Sequence, residues 1–388
     1  MTLERCDVPG KPKALFANSG LLGHQSVAKL IAEAMAGNDL VDPVHVNLSG
    51  SLSLYERLVR RVLCVHPIST NYDLARWRME LNMGWLARRR IKRLEAAHGR
   101  FSLFHLHPQP LAYCLLNRTR QTPAIVSIDA TQHLPQSEAQ PSEAWSFRPG
   151  FAHDRAVFAA AKTVICTSQW AANHVNSLDV PFALKTHVMP YPVDVAKFPE
   201  RWLADRRQRS SVDGYKPAVL FVGGDFYRKG GQDLLHAWEM AKLWERASLV
   251  LLSGTRLERN SLPPGITVLS GVGAYSEEWF KFWNEADIFV LPTRSEAFGM
   301  VLQEAAAAGL PVVSTGINAI PEIVTNGLTG ILLKTRDVDG LGQALEKLVA
   351  DSEMRFQMGK RAREHMKQMC DPIAYRSKLL HLVECALA

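Results

Sequence analysis

The sequence has no long apolar run, no paired cysteines and no internal repeat. No stretch approaches the ~18 hydrophobic residues of a membrane-spanning helix. The six cysteines are scattered without a CxxC motif, so no disulfide framework is implied. Neither a repeat nor a low-complexity tract is present, so the chain is predicted to be globular. The first residues, MTLERCDVPGKPKALF, are partly acidic and lack an apolar core, unlike a secretory signal. We therefore expect a cytoplasmic protein.

The 388 residues are 47% hydrophobic and 21% charged, and strand-like and helix-like segments alternate along them in two series. The first series has strand candidates at residues 13–18, 44–48, 102–107, 124–129 and 163–168. The second has them at 218–224, 248–254, 267–271, 287–292, 311–315 and 330–334. Four prolines within residues 181–199 predict a linker. The sequence thus predicts an α/β fold with two Rossmann-like domains facing a cleft, at 1–195 and 196–370, and a final helix at 371–388.

The net charge of +7 is concentrated in the first half of the chain. Residues 1–195 contain 21 Lys and Arg against 15 Asp and Glu, whereas the remaining residues contain 24 against 23. Residues 56–93 alone contain ten basic and three acidic residues. Such a surface suits an anionic membrane, a phosphorylated acceptor or a nucleic acid. No helix-turn-helix, RNA-binding or zinc motif accompanies the charge, so a basic nucleic-acid-binding protein is a remote alternative and no nucleic acid partner is expected.

Residues 76–94 combine an arginine cluster with tryptophans at Trp77 and Trp85. A basic amphipathic helix of this kind can lie on an anionic membrane surface, which would make the protein peripheral at the inner face of a membrane. The alternative is a solvated helix that packs its apolar face on its own domain.

The segment LPTRSEAFGMVLQEAAAAG, residues 291–309, carries the strongest chemical signal. A strand ends near its start, a short loop follows, and a helix is predicted to start at about Gly299. The first helical N–H groups, on Gly299, Met300 and Val301, form an anion site. Glu296 lies in the loop and Glu304 on the helix. One carboxylate can accept hydrogen bonds from sugar hydroxyls and the other from a ribose diol, which indicates a nucleotide-sugar site.

This segment resembles the E-x7-E signature of the retaining glycosyltransferases of family 4, which have the GT-B fold. Similar segments are VMPYPVDVAKF at 188–198, LFVGGDFYRKGGQDLLHAW at 220–238 and nearly all of 285–333. The resemblance implies transfer of a sugar, with retention, from a nucleoside diphosphate sugar to a hydroxyl of a glycan or lipid-linked acceptor in cell-envelope or polysaccharide synthesis. It also implies an N-terminal acceptor domain to which the last helix returns. The alternative is a GT-B sugar epimerase or phosphorylase.

The resemblance assigns residues on the donor side. Ser295, Phe298 and Gly299–Val301 belong to the signature, with Glu296 catalytic and Glu304 donor-binding. In GGDFYRKGG, Lys229 matches the lysine that contacts the diphosphate. Gly224 occupies the usual arginine position, and Arg228 is the nearest substitute. Because such cations and the helix start would hold the leaving diphosphate, we expect no catalytic metal and no cofactor besides the sugar donor.

On the N-terminal side, the resemblance places a glycine-bearing loop, with Gly20 and Gly23, against the donor phosphates and the acceptor. In AIVSIDATQHLP, Asp129 takes the place of the family's T-x-H histidine, and His133 is the alternative source of an imidazole. His24 and His107 are further candidates for the acceptor side.

Two short patterns resemble metal-binding motifs, but a structural role is favoured for each. The HxH at His105 and His107 has no third ligand at a suitable spacing, so cleft lining or core is favoured. The D-x-D at Asp337 and Asp339 precedes a helix, where an Asp N-cap is the better interpretation.

Overall fold

The computed structural model describes residues 11–20, 23–48, 52–64, 74–178, 180–258 and 262–388. The chain divides into two units. The first comprises residues 1–191 and 373–388, and the second comprises residues 192–372. Each unit has its own parallel sheet with helices around it, which confirms the prediction of an α/β chain with two Rossmann-like domains.

Among the described residues of the first unit, six strands form a parallel sheet in the order β2-β1-β3-β4-β5-β6. The strands are β1 Lys13–Asn18, β2 Asp42–Asn47, β3 Leu103–His107, β4 Ala124–Ile128, β5 Thr163–Cys166 and β6 Thr186–Val188. The helices are α1 His24–Met35, α2 Leu54–Leu63, α3 Ala75–His98, α4 Leu116–Thr119, α5 His133–Glu138, α6 Arg148–Ala160 and α7 Gln169–Leu178. Short 3-10 turns lie at Gln109–Ala112, Pro141–Phe147 and Val180–Lys185.

The second unit also has a six-stranded parallel sheet in its described part, in the order β12-β11-β10-β7-β8-β9. Its strands are β7 Ala218–Val222, β8 Ser248–Leu252, β9 Ile266–Leu269, β10 Ile288–Leu291, β11 Val312–Thr315 and β12 Gly330–Leu333. The helices are α8 Arg201–Ser210, α9 Gly231–Met240, α10 Glu277–Glu285, α11 Met300–Ala307, α12 Ile320–Ile323, α13 Val338–Ala350 and α14 Ser352–Met369. Further 3-10 turns lie at Val195–Lys197 and Leu243–Glu245.

The central strands are buried because helices cover both faces of a parallel sheet. Strands β3, β4 and β10 are buried at every position. The proline-rich segment predicted as a linker contains β6, which pairs in parallel with β5. The boundary between the two units also lies within this segment, between residues 191 and 192. Strand β6 forms there because the prolines lie on either side of residues 186–188, where the backbone is free to hydrogen bond.

The last helix, α15 (Pro372–Leu387), lies almost wholly in the first unit, as the resemblance implied. Its buried face includes Tyr375, Leu379 and Val383. Arg376 donates hydrogen bonds to the carbonyl oxygens of Ala34 and Ala36, at 2.6 and 2.8 Å. These carbonyls end helix α1, so the arginine satisfies acceptors that the helix itself cannot.

Helix α3 contains the basic segment, and its apolar residues are used inside the first unit. Leu86 and Ile91 are buried, and Leu81 packs against the hydrophobic core. Arg89 and Arg93 lie 3.3 and 3.1 Å from a carboxylate oxygen of Glu56, a buried residue of α2. Within the described residues, no helix is both long enough and apolar enough to cross a membrane.

Candidate functional site

The donor-side residues of the second unit lie in two loops that follow β7 and β10, neighbouring strands of the sheet. Lys229 follows β7, Glu296 follows β10, and the ammonium of Lys229 donates a hydrogen bond to the Glu296 carboxylate. Both side chains are largely buried, with 12% and 14% of their surfaces exposed. Burial and the neighbouring Arg228 charge lower the pKa of Lys229, and Asp225 opposes this. Contact with the Glu296 carboxylate favours the charged form of the Lys229 ammonium.

Two glycines allow these loops to approach each other. Gly230 has φ +76°, and a Cβ there would lie 1.9 Å from the carbonyl oxygen of Pro292. Gly299, the residue before α11, has φ +96°. Glycine adopts positive φ with the least strain, and at Gly230 the contact with Pro292 also excludes a side chain, so both loops favour glycine at these positions. The α11 start therefore lies beside Glu296, whose Cγ is 3.3 Å from the position of a Gly299 Cβ.

Further hydrogen bonds hold the β10 loop. Arg294 makes two of them to the buried Asp233 carboxylate of α9, at 3.0 and 2.6 Å. Asn318 donates to the carbonyl oxygen of Glu296 at 2.9 Å. The loop is thus held by fixed partners before any ligand arrives.

Arg228 is already bonded to the loop. Its Nη1 donates to the Ser295 carbonyl oxygen at 2.7 Å, and its Nε lies 3.5 Å from Asp225. A Cβ at Gly224 would meet nothing within 4 Å among the described atoms. The position where the family usually has arginine is therefore open, and Arg228 lies on the adjoining turn.

The remaining residues of the signature have different environments. Phe298 is buried, whereas Ser295, Met300 and Val301 are half-buried. Phe298 therefore packs the loop onto the unit, and the other three leave side-chain or backbone atoms accessible.

Glu304 is half-buried on α11, and the hydroxyl of Tyr275 donates to its Oε1 at 2.7 Å. Burial raises the pKa of Glu304 to about 7, although the hydrogen bond from Tyr275 opposes the shift. Sequence reasoning missed Tyr275 because it lies 29 residues from Glu304, with no motif linking them.

In the first unit, β1, β3 and β4 are neighbours, and their carboxyl ends carry several of the expected residues. His24 starts the helix after β1, His107 ends β3, and Asp129 follows β4. One ligand-type atom from each of the three lies within 4.8 Å of the others. The hydroxyl of Tyr191 donates to Asp129 Oδ1 and also lies 3.4 Å from His107 Nε2. We call these four residues the strand-end cluster.

Burial sets the charge of the cluster. It lowers the pKa of His107 to about 4, and the Asp129 carboxylate opposes the shift. The pKa of His24 is lowered for the same reason. Both imidazoles are therefore neutral near pH 7, beside one carboxylate. The sequence analysis identifies the segment 188–198 but not Tyr191 within it, because no motif marks this residue.

Gly20 lies shortly after β1, and Gly23 directly precedes α1. Gly20 has φ +73°, and its N–H donates to the Asn18 side chain at 2.8 Å. Gly23 adopts a helical φ of −56°. A Cβ at this position would have no described atom within 4 Å of it. The missing side chain thus leaves open space at the start of α1.

Two histidines lie elsewhere. His133 is stacked on His174 of α7, with ring centroids 4.3 Å apart, and its Nδ1 lies 2.8 Å from the Thr131 hydroxyl. His105 is a core residue stacked on Phe16, which resolves the choice between cleft lining and core.

The D-x-D residues have the expected structural role. Asp337 is the N-cap of α13 and accepts a hydrogen bond from the Gly340 N–H at 2.9 Å.

The chain is similar to known proteins in sequence and in fold. The glycogen synthase of Mycobacterium tuberculosis is 26% identical over 365 residues, covering 86% of this chain and 84% of that protein. The D-inositol 3-phosphate glycosyltransferase of Corynebacterium jeikeium is 39% identical over 197 residues, 46% of each chain. Among solved structures, the sucrose-phosphate synthase of Thermosynechococcus elongatus has a TM-score of 0.73 at 21% identity, covering 96% of this chain and 98% of that one. An Anabaena protein, HepE, solved with UDP-glucose, has a TM-score of 0.65 at 16% identity, with 96% and 99% coverage.

The fold is that of the GT-B glycosyltransferases, as predicted. Residues 216–351 match the model of the family described as Glycosyl transferases group 1. The chain is therefore a glycosyltransferase with a Glycosyl transferases group 1 domain.

Proposed function

We propose that this glycosyltransferase uses a nucleoside diphosphate sugar, belongs to the retaining family 4 and transfers the sugar to an acceptor hydroxyl. The observation that carries the proposal is the arrangement of Glu296 and Glu304 on either side of the α11 start, with Lys229 in contact with Glu296. A cation, a helix start and two carboxylates within one pair of loops match the charges and hydroxyls of such a donor.

The diphosphate is assigned to Lys229, Arg228 and the first N–H groups of α11. Lys229 is paired with a carboxylate, so its ammonium has a fixed position before the donor binds. Negative charge develops on the diphosphate as the bond to the sugar breaks, and fixed cations and amide dipoles lower the energy of that state. These groups supply the charge that a divalent ion supplies in other transferases, so the transfer step is proposed to need no metal.

The two glutamates are assigned different roles. Glu296, paired with Lys229, lies where it can accept hydrogen bonds from hydroxyls of the transferred sugar. Glu304 lies further along α11, beside Tyr275, and is assigned to the ribose diol. An ionised carboxylate offers both oxygens as acceptors to two adjacent hydroxyls, whereas a protonated carboxyl uses one of its oxygens as a donor. Donor binding is therefore proposed to favour the ionised form of Glu304.

Asp129 is assigned to the reacting groups, where it stabilises positive charge at the anomeric carbon or holds the acceptor hydroxyl. Its carboxylate is anchored by Tyr191 and is 22% exposed, so a ligand can reach it. His133 does not take this role in the proposal, because its ring is stacked on His174.

The acceptor is proposed to be lipid-linked, with helix α2 of the first unit on an anionic membrane. Leu54, Leu58 and Val62 lie one turn apart on this helix and are 83%, 60% and 65% exposed. Arg57 and Arg61 flank the stripe. An exposed apolar stripe beside basic residues is typical of a helix lying in a lipid interface. The proposal moves the contact from 76–94 to α2, because α3 uses its apolar residues in the core. It implies a peripheral protein at a cytoplasmic membrane face.

The test is a panel of nucleoside diphosphate sugars in a thermal-shift assay with the full chain. A donor at a hundred times its dissociation constant stabilises the folded protein by about 2.7 kcal/mol. Glu304→Gln is expected to weaken binding of the same donor, whereas the exposed Glu239→Gln on α9 should leave it unchanged. Stabilisation by no donor, or equal stabilisation of all three proteins, would refute the donor site. Product analysis with and without an acceptor separates a transferase from an epimerase or phosphorylase.

A further inference from the structure

The strand-end cluster has the composition of a metal site, with two imidazoles and a carboxylate. The register of the sheet brings them together, since Asn18 of β1 lies opposite His107 of β3, and β3 pairs with β4, which Asp129 follows. His24 Nε2 lies 3.8 Å from Asp129 Oδ2. The three ligand-type atoms lie within 4.8 Å of one another, and donors in a tetrahedral zinc site are about 3.3 Å apart. The His24 and Asp129 side chains are partly exposed, and a modest rotation of both would bring the ligand-type atoms to the spacing of a zinc site.

The hydrogen bonds of the two rings favour ligation. His107 Nδ1 lies 3.1 Å from the Ser127 carbonyl oxygen, which can only accept, so this nitrogen carries the proton. The lone pair is then on Nε2, which lies 3.4 Å from the Tyr191 hydroxyl that also bonds Asp129. His24 Nδ1 lies 2.6 Å from the Ser19 hydroxyl, and its Nε2 likewise faces Asp129. Metal-binding histidines have this arrangement, with the distal N–H bonded to an oxygen and the other nitrogen facing the ion.

We propose that His24, His107 and Asp129 bind one divalent transition-metal ion of the zinc class. Two imidazoles and one carboxylate favour Zn²⁺ or Co²⁺ over Mg²⁺, which prefers oxygen ligands. Three protein ligands leave a fourth position for water or for an oxygen of a ligand. All three belong to the first unit, so the site is complete without the donor-binding loops.

The ion would have a consequence for turnover, and this consequence rests on the proposed function. It occupies the Asp129 carboxylate that is assigned to the reacting groups. Zinc is therefore expected to inhibit transfer rather than to support it. Chelation would restore activity, which agrees with a transfer step that needs no metal.

The experiment measures binding directly. The full chain is treated with EDTA, desalted and titrated with Zn²⁺ by calorimetry and with Co²⁺ by visible absorption. We expect one equivalent to bind, with the absorption of four-coordinate cobalt, and no comparable binding of Mg²⁺. His24→Ala and Asp129→Asn should each weaken the Zn²⁺ affinity at least tenfold. His98→Ala, an exposed histidine at the end of α3, should not change it.

Thermal melts of each variant verify folding, and Asp129→Asn keeps the shape of the side chain if His24→Ala proves unstable. Absence of stoichiometric Zn²⁺ binding, or affinity equal in wild type, Asp129→Asn and His98→Ala, would overturn the metal site. The donor thermal shift is measured on the same metal-free protein. Loss of Zn²⁺ binding with an intact donor thermal shift would count against the metal site alone. Zn²⁺ binding without a donor thermal shift would count against the proposed function alone.

Discussion

Replacing Asp129 by asparagine tests whether its charge takes part in transfer. The amide has nearly the same shape, and its oxygen can still accept the hydrogen bond from Tyr191. The substitution therefore removes the negative charge while leaving the β4 end in place. Because the residue is far in sequence from the Lys229 and Glu296 loops and belongs to the other unit, donor affinity should change little.

The size of the effect is worked from an assumed contact distance of about 5 Å and from the exposure of the Asp129 side chain. Two unit charges about 5 Å apart at an effective dielectric of about 20 interact by about 3 kcal/mol. The transition state carries only part of a positive charge, and the Asp129 side chain is 22% exposed, so solvent screens some of the interaction. A loss of about 1.4 kcal/mol or more remains, which is at least tenfold in turnover.

The assay is single-turnover transfer in metal-free buffer, with donor affinity measured separately. His133→Ala is the comparison, because that ring is stacked on His174, and its effect should be smaller. Near-normal turnover of Asp129→Asn together with an inactive His133→Ala would refute the reasoning. It would show that the imidazole carries the role from a position further along the loop.

Three other outcomes are expected. The affinity for donor should rise about tenfold between pH 6 and pH 8, because Glu304 has a pKa of about 7 and loses its proton in this range. In the same pH titration, the donor affinity of Glu304→Gln should not change. Activity of protein prepared without added metal should survive EDTA, and loss restored by Mg²⁺ or Mn²⁺ would contradict the assignment of the diphosphate to cations and amides. Leu58→Ser should reduce sedimentation with anionic vesicles at low salt, and Leu184→Ser, an exposed leucine elsewhere in the first unit, should not.

The same raised pKa makes a prediction about stability in the absence of donor. The folded state holds the Glu304 proton up to about pH 7, whereas an unfolded chain releases it near its ordinary value of 4.5. The folded state thus binds more protons between these values, and the contribution of Glu304 to stability is present below pH 4.5 and lost as the pH rises to 7. Donor binding and apo stability therefore change in opposite directions with pH.

The strands were largely predictable, because a buried parallel strand needs a short apolar run and most strands in this chain have one. Strand β1 was predicted at its observed bounds. The basic segment was harder to interpret. An amphipathic pattern is the same whether the apolar side contacts lipid or the protein core. In addition, Arg89 and Arg93 pair with Glu56, which lies on another helix.

The strand-end cluster could not be predicted as a metal site for a different reason. Short spacing along the chain identifies metal sites built on one helix or one turn, and the ligands of this cluster do not have it. In a parallel sheet, neighbouring strand ends are separated in sequence by whole crossover segments, so ligands that share an edge are far apart in sequence. In the described part of the chain, α1, β2, α2 and α3 lie between β1 and β3, and α4 lies between β3 and β4. Only the strand order shows that β1, β3 and β4 are adjacent.

The two units thus place polar groups at the same structural position, the carboxyl edge of a parallel sheet, with different charge arrangements. In the second unit the charges are already paired, Lys229 with Glu296 and Arg294 with Asp233. A ligand there gains fixed partners and needs little rearrangement. In the first unit one carboxylate faces two neutral imidazoles, an arrangement that favours any added positive charge. A cationic transition state and a divalent metal ion satisfy that requirement in the same way, so we expect them to compete for Asp129.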